Sequence, residues 1–367
     1  MRPVHRLVAA SALCAVAAIA QAESNRYQVQ TLVSDVPGVA PNTDPHLVNG
    51  WGIAFNPAGF VWVADNGTGL STLYNGHGNP QSLVVTIPKA PSNDEHAKPT
   101  GIVFSGSNDF AVTSGGIKGP SRFIFATEDG LIAGWAPSVA FTQAIQAYPP
   151  PGAPESTAVY KGLALANTGS ANFLYATDFV GGKIDVFDAT FAKVTVPGGF
   201  VDPNLPKDFA PFNIQNIGGH LFVTYAKRED GEDDETAGPG LGVVDEFDVS
   251  GHLIRRIATR GKLNAPWGLA LAPASFGKFA GDLLVGNFGD GTINAYDLRT
   301  GNFRGQLKGA DHRVIKIDGL WGMAFGNDLN DQPSGTLFAA AGPDDENHGS
   351  YNAITPAPGS GDDEDDD

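Results

Sequence analysis

The pentapeptide "WGIAF" at residues 51–55 recurs along the chain, and its spacing decides the fold. It returns as "WGLAL" at 267–271 and as "WGMAF" at 321–325. Degenerate copies are "TGIVF" (100–104), "KGLAL" (161–165) and "FNIQN" (212–216). The second residues of the six copies are 49, 61, 51, 55 and 54 residues apart. A period near 50 residues is typical of one four-stranded blade of a β-propeller, so the sequence predicts six blades.

Each copy is followed by further short apolar segments that end in Gly, Asn or Asp, as strands and turns do. Predicted second strands are "FVWVADN" (60–66), "FLYATDF" (173–179), "LFVTYAK" (221–227), "LLVGNFG" (283–289) and "LFAAAGP" (337–343). Fourth strands are predicted at "SLVVTIP" (82–88) and "HLIRRIA" (252–258). In the second repeat we predict the second to fourth strands at "FAVTS" (110–114), "RFIFATE" (122–128) and "LIAGWAP" (131–137).

The last repeat lacks a fourth strand, and the start of the chain has one to spare. Three strands end with "YNAIT" at 351–355, while "YQVQTLVSD" at 27–35 belongs to no complete repeat. Pairing these two segments would close the ring and remove its exposed edges. We therefore predict an all-β chain with a single six-bladed β-propeller at 23–355, closed by the N-terminal strand. Because a closed ring leaves no free sheet edge, we expect a monomer.

The first 22 residues have the pattern of a secretory signal peptide. Arg2 and Arg6 precede an apolar stretch at 7–20, and the small residues that follow predict cleavage near Ala22. The sole cysteine, Cys14, would leave with this peptide. No other apolar stretch approaches the roughly 20 residues of a membrane span. We expect an exported protein, periplasmic or secreted, without a membrane anchor.

The net charge of −17 argues against nucleic acid as a partner. Much of that charge lies in "EDGEDDE" (229–235) and "DDEDDD" (362–367). We interpret both stretches as solvated, flexible segments, and predict a disordered acidic tail at 356–367. The alternative is a surface that collects calcium weakly.

Polar residues accumulate where second strands end and where inner strands begin. In a propeller these two kinds of loop share one face, so we predict ligand-binding residues at the channel mouth on that face. They are His46, Asn49, Asp65, Asn66, Asp178, Asn213 and Asn287. The alternative is structural, because Asp and Asn accept backbone hydrogen bonds in turns. Trp51, Trp267 and Trp321 recur with the repeat, which favours buried packing near the axis over ligand stacking.

Three longer stretches carry a resemblance to a known family. "LVSDVPGVAPNTDPHLVNGWGIAF" (32–55), "RFIFATEDGLIAGW" (122–135) and "GLWGMAFGND" (319–328) resemble uncharacterised exported bacterial proteins, and the resemblance covers 27–355. It implies a six-bladed propeller and no particular activity.

More distantly, "WGIAF" with "VWVADN" resembles an NHL repeat and the six-bladed gluconolactonase group. That resemblance implies a calcium ion in the channel, held here by residue types such as Asp65, Asp178, Asn213 and Asn287, with Asn49 a further candidate. One departure is that no glutamate clearly opens the first inner strand.

Two function classes follow, and whether the protein is an enzyme stays open. The first is a binding module that takes an extracellular or periplasmic ligand or protein with one face and the channel mouth. The alternative is a calcium-dependent lactonase or esterase-type hydrolase with its site in the central channel. The chain has no G-x-S-x-G motif of a serine hydrolase. A redox quinoprotein is a third class, which no sequence feature requires.

Overall fold

The computed structural model describes residues 25–91 and 95–357. The predicted signal peptide at 1–22 and all but the first two residues of the predicted tail at 356–367 lie outside the described residues. Within them the chain forms 28 β-strands and a single three-residue 3-10 helix, Gly277–Phe279. No helix in this described part is long and apolar enough to cross a membrane.

The strands make six small antiparallel sheets, the blades, which follow one another along the chain. β1 (Tyr27–Ser34) and β2 (Asn42–Thr43) come first. Blade 1 then contains β3 (Gly50–Phe55), β4 (Val61–Asp65), β5 (Leu70–Tyr74) and β6 (Val85–Thr86). Blade 2 contains β7 (Pro99–Phe104), β10 (Phe123–Thr127), β11 (Ile132–Trp135) and β12 (Ile145–Tyr148), with a separate hairpin of β8 (Ala111–Ser114) and β9 (Ile117–Pro120). Blade 3 contains β13 (Tyr160–Asn167), β14 (Asn172–Asp178), β15 (Lys183–Phe187) and β16 (Lys193–Val194).

The second half of the ring repeats this order. Blade 4 contains β17 (Phe209–Ile217), β18 (His220–Arg228), β20 (Val243–Phe247) and β21 (Leu253–Thr259), and the short β19 (Glu235–Thr236) pairs with β18. Blade 5 contains β22 (Pro266–Leu271), β23 (Asp282–Asn287), β24 (Ile293–Asp297) and β25 (Phe303–Gln306). Blade 6 contains β26 (Leu320–Phe325), β27 (Leu337–Ala341) and β28 (Ser350–Pro356), completed by β1. The predicted all-β, six-bladed propeller is confirmed.

Closure by the N-terminal strand is also confirmed. β1 pairs antiparallel with β28, from Tyr27 opposite Pro356 to Ser34 opposite Ser350, with a bulge between Thr31 and Val33. The Tyr27 side chain reaches into the neighbouring blade 5. Its ring lies 4.8 Å from that of Phe276, and its hydroxyl donates to the Phe276 carbonyl at 3.0 Å.

The strand assignments predicted for blade 2 are wrong, because 122–128 and 131–137 contain its second and third strands and not its third and fourth. Residues 110–114 do not form its second strand, because β10 pairs directly with the inner strand β7 and the fourth strand is β12. β10 is buried along its whole length, whereas β8 has only one buried residue and turns back at once. Gly115 and Gly116 both have positive φ, which a two-residue hairpin turn of type I′ requires.

The recurring glycine of the repeat allows the inner strands to approach one another around the axis. A Cβ added at Gly322 would lie 2.4 Å from the Trp51 carbonyl oxygen of the next blade. One at Gly101 would lie 2.4 Å from the Leu163 amide nitrogen. Real Cβ atoms do not come so close to backbone, so these positions require glycine. Packing between blades supplies the core, as where the rings of Trp62 and Phe123 stack at 4.0 Å.

One backbone hydrogen bond recurs and places all the relevant loops on the same face. In five blades the residue after the second strand donates its N–H to the carbonyl of a residue ahead of the inner strand, at 2.9–3.0 Å. The donors and acceptors are Asn66 and Asn49, Glu128 and Lys98, Phe179 and Val159, Phe288 and Ala265, and Gly342 and Gly319. In blade 4 the ladder itself pairs Ala226 with Ala210. We call this side of the propeller the mouth face.

Candidate functional site

Six buried side chains surround the axis on the mouth face, one from the start of each inner strand. This mouth ring consists of Trp51, Thr100, Lys161, Phe212, Trp267 and Trp321. Each of these residues stands directly before the repeat position, usually glycine, that packs closely against the next inner strand. The repeat therefore positions the ring, and the sequence varies its chemistry from blade to blade.

The three tryptophans pack against one another at the centre. The rings of Trp51 and Trp321 stack at 3.5 Å, and Trp267 meets both edge-on at 5.9 and 5.8 Å. Phe288, from the turn after β23, stacks on Trp321 at 4.0 Å. Burial of the tryptophans is as predicted. Trp51 and Trp321 nevertheless also line a cavity, so packing and ligand contact are not exclusive here.

Lys161 is the charged member of the ring and is almost fully buried. Its Nζ lies 2.5 Å from Glu128 Oε1, 3.1 Å from Asp234 Oδ1 and 5.2 Å from the centre of the Trp51 ring. Burial opposes its charge, but the carboxylates of Glu128, Glu235 and Asp234 outweigh burial and raise the pKa of Lys161 above its usual range. Lys161 is therefore a permanent ammonium ion.

A chain of hydrogen bonds connects Lys161 to the tryptophan cluster across four blades. Trp321 Nε1 donates to Asn49 Oδ1 at 3.1 Å, and Asn49 Nδ2 donates to Asn66 Oδ1 at 3.4 Å. Asn66 Nδ2 donates to Glu128 Oε2 at 3.0 Å, and Glu128 holds Lys161. Two of the predicted site residues, Asn49 and Asn66, are thus brought together at the mouth.

Above the ring lies the mouth cavity, of about 630 Å³. Trp51, Trp321 and Phe288 form its aromatic part. The remaining lining residues are polar: Asn66, Glu95, His96, Lys98, Glu128, Asp129, Asp233, Asp234, Glu235 and Glu346. Seven of these are carboxylic acids and one is a lysine, so the cavity is strongly acidic.

Two of the acids are held where ionisation is costly. Burial raises the pKa of Glu235 to about 7, although Lys161 opposes the shift. Burial and then the Glu128 charge raise the pKa of Glu346. Glu235 belongs to the stretch 229–235, which the sequence indicated was flexible. The structure instead brings its last three residues to the cavity, and Glu235 begins the short strand β19.

Three predicted site residues bond within their own blade. Asp178 Oδ1 accepts from the Gly181 N–H at 2.9 Å, and its Oδ2 lies 2.9 Å from Lys183 Nζ. Asn287 clamps its turn in a similar way, because its Nδ2 donates to the Lys262 carbonyl at 2.8 Å. Asp65 is fully buried and accepts from Thr72 Oγ1 at 3.3 Å.

The other two also lie away from the mouth cavity. Asn213 takes the glycine position of blade 4 and donates to the Trp267 carbonyl at 2.7 Å. His46 Nδ1 lies 2.9 Å from Asp44 Oδ1, with half of the histidine side chain exposed.

These positions do not fit the calcium site that the distant resemblance implies. Asp178, Asn213 and Asn287 make their hydrogen bonds in different blades, and the ring itself contributes the ammonium of Lys161, which repels a metal cation. Nowhere in residues 25–91 and 95–357 do three or more His, Cys, Asp or Glu side chains form a group that could hold a metal ion. Calcium binding remains a prediction from the resemblance.

Sequence reasoning missed both Lys161 and the cavity acids as site residues, although the repeat contains a signal that could have identified Lys161. In "KGLAL" a lysine stands where three other copies have tryptophan, which is an anomaly at a buried position. Glu128, Glu235 and Glu346 carry no such signal, because loops of different lengths bring them together.

Comparisons with known proteins identify relatives and fold neighbours. No protein-family model matches the chain. It is 33% identical over 303 residues to "Uncharacterized protein R648" of Acanthamoeba polyphaga mimivirus, covering 81% of this chain and 73% of that protein. It is 34% identical over 314 residues to "Uncharacterized protein L690" of the same virus, covering 81% and 78%.

Among solved structures, a glucose dehydrogenase aligns with a TM-score of 0.55 at 13% identity, over 90% of this chain and all of that one. A protein of unknown function from Bacteroides thetaiotaomicron aligns with a TM-score of 0.53 at 12% identity, over 89% and 76%. A streptogramin B lyase aligns with a TM-score of 0.50 at 13% identity, over 90% and 98%. At these identities the likeness shows the fold alone.

Proposed function

This chain belongs to the same family as the two uncharacterized mimivirus proteins, and we propose that it is a binding module whose mouth cavity takes a small ligand. The observation that carries the proposal is an unpaired indole N–H at the cavity. Trp51 is 2% exposed, lines the cavity, and its Nε1 has no hydrogen-bond partner among the described residues. Leaving a buried donor unpaired costs about 1–3 kcal/mol, which an acceptor atom on a ligand would recover.

The size and lining of the cavity suit the same purpose. Ligand pockets commonly measure about 300–1,000 Å³ and combine aromatic surface with a few fixed polar groups. Here the aromatic groups are Trp51, Trp321 and Phe288, and the hydrogen-bonded chain through Asn49 and Asn66 fixes the surrounding polar atoms. Such preorganisation lowers the entropic cost of binding.

The ring offers little support for the alternative, a hydrolase. Its only hydroxyl, on Thr100, donates to the Tyr160 carbonyl at 2.7 Å, and its amine, on Lys161, is protonated and ion-paired. A nucleophile requires a base that removes its proton, whereas the Thr100 hydroxyl bonds backbone carbonyls and the carboxylates beside Lys161 stabilise its protonated form. Turnover of lactones that needs calcium and is abolished by a chelator would restore the alternative.

The test is a titration followed by tryptophan fluorescence, with a panel of small amines, organic acids and neutral sugars. We expect a saturable change with at least one class. Trp51→Phe, which keeps an aromatic ring and removes the N–H, should weaken that binding about fivefold or more. Trp62→Phe, between blades 1 and 2, is the matched control and should leave binding unchanged. Equal binding by wild type and Trp51→Phe would contradict the proposal.

Export forms part of the proposal, and the ligand would then be an extracellular or periplasmic compound. Its support is the pattern of residues 1–22 alone. Mass spectrometry of the full chain expressed with its leader should show loss of 22 residues on export. A chain that keeps residues 1–22 would contradict this part without affecting the mouth cavity.

A further inference from the structure

We propose that the ligand of the mouth cavity is a small organic cation, a primary or secondary amine with a planar or apolar body. This inference rests on the proposed function and names its ligand class. Trp51 is almost fully buried, lines this cavity, and has an Nε1 without a hydrogen-bond partner among the described residues.

The charge of the lining selects a cation. Seven carboxylic acids and one lysine line the cavity, and the ammonium of Lys161 lies directly behind them. Clefts lined by one sign of charge concentrate ligands of the opposite sign and repel like-charged ones. Organic anions are therefore excluded.

A free acceptor atom selects a cation that carries N–H groups. Lys161 already uses Glu128 Oε1 and Asp234 Oδ1. Glu346 Oε1, by contrast, is buried and has no hydrogen-bond partner among the described residues. A quaternary ammonium ion has no hydrogen to donate and would leave this oxygen unpaired, whereas a primary amine has three.

Lys161 shows that the surroundings stabilise such a group. Its ammonium lies between two carboxylates and 5.2 Å above the face of Trp51, in the geometry of a cation–π contact. A ligand amine would find the same combination further out, with Glu235 and Glu346 as acids and with Trp321 and Phe288 as aromatic surface. The body of the ligand would stack, and an oxygen atom on it could accept from Trp51 Nε1.

Binding should also depend on pH through Glu235, because a bound cation favours its ionised form. The charged and titratable groups around the cavity are Lys161, Lys98, His96, Glu95, Glu128, Asp129, Asp233, Asp234 and Glu346. Primary amines stay protonated between pH 6 and 8, so the change in affinity comes from the protein. With the pKa of Glu235 at about 7, affinity should rise by up to about tenfold over this range. Glu235→Gln should remove the part of this pH dependence that is due to Glu235.

The experiment is a titration of the full-length protein with tyramine and dopamine, with choline, acetate and glucose as comparison probes. We expect saturable binding of the two amines, choline at least about tenfold weaker, and no binding of acetate. Glu346→Gln should weaken amine binding about tenfold or more. Glu229→Gln is the matched control, because that glutamate lies outside the cavity, its side chain is 60% exposed and it pairs with Lys227. Circular dichroism melts of both variants verify folding.

The outcomes separate the inference from the proposed function. Binding of glucose or acetate that depends on Trp51 would overturn the cation class and leave a ligand-binding cavity. Choline binding as tight as tyramine, or full amine affinity in Glu346→Gln, would also overturn the inference. If no probe binds, the proposed function and this inference both fail.

Discussion

Asp65, the last residue of β4, is a buried acid with one unpaired oxygen. Its side chain is fully buried and Oδ2 has no hydrogen-bond partner among the described residues. Burial, with a smaller contribution from the Asp44 charge, raises the pKa of Asp65 well above its usual value. The folded protein therefore holds this proton more tightly than the unfolded chain does, and Asp65 makes the free energy of unfolding fall as the pH rises above about 4.

We predict that Asp65→Asn removes this fall in the free energy of unfolding with rising pH, because asparagine resembles the protonated acid. At pH 5 the variant should unfold at nearly the same urea concentration as wild type, and at pH 8 at a higher one. Asp311→Asn, whose parent side chain is 62% exposed, makes the same charge change and should shift neither value much. A pH dependence identical in wild type and Asp65→Asn would show that the carboxyl is ionised in the folded protein.

A second prediction concerns the ion pair between Lys161 of the mouth ring and Glu128. Lys161→Met leaves Glu128, whose side chain is only 16% exposed, without its cation, and should lower the free energy of unfolding by about 2–4 kcal/mol. Adding Glu128→Gln should cost less than the sum of the two single losses, with a coupling of at least about 1 kcal/mol. Asp234→Asn removes the partner that is 79% exposed and should cost about 0.5 kcal/mol or less. Strictly additive losses in urea denaturation would show that the two groups do not interact.

For single residues, the sequence predicted which positions are polar better than it predicted which polar residues lie together. Asn49 and Asn66 were placed at the mouth and lie there, whereas Asp178 and Asn287 turned out to clamp their own turns. All four are polar residues beside glycine or a strand end, and both roles favour Asp and Asn for the same hydrogen-bonding reason. Which role applies depends on the side-chain direction, which the local sequence does not specify.

At the scale of the strand, the inner-strand glycines control how tightly the six blades approach. We predict that Gly322→Ala lowers the free energy of unfolding by about 3 kcal/mol or more, because the added methyl meets the Trp51 carbonyl, which is backbone and cannot rotate away. Gly106→Ala is the matched control. The nearest atom to its added methyl is 3.4 Å away on Phe104, so the change should stay within about 0.5 kcal/mol. Equal melting temperatures for the two variants would contradict the close approach.

The strands were predictable where the repeat is regular and less so where an insertion interrupts it. Three Trp-Gly copies and the degenerate "TGIVF" and "KGLAL" located five inner strands, and "FNIQN" correctly located the sixth, β17. In blade 2 the hairpin of β8 and β9 has the apolar alternation of a blade strand, so the pattern alone could not exclude it. Only the pairing of β10 with β7 shows that the hairpin lies outside the sheet.

For the whole molecule, stability depends on the closure between β1 and β28. Tyr27 is 1% exposed and joins the closing strand to Phe276 and Phe279 of blade 5. Tyr27→Ala should therefore cost about 3–5 kcal/mol of the free energy of unfolding. Phe141→Ala, at a residue 61% exposed, should cost about 0.5 kcal/mol or less. Similar urea midpoints for the two variants would mean that the ring does not rely on this strand.

The direction of that closing pair also determines how the ring would respond to a pulling force. β1 and β28 are antiparallel, and Tyr27 at the beginning of one lies opposite Pro356 at the end of the other. Tension applied at these two residues loads the ladder one hydrogen bond at a time, as in opening a zipper. Parallel strands pulled from opposite ends would instead share the load across every bond. The propeller should thus peel open at blade 6 under a low force, with the other five blades still folded.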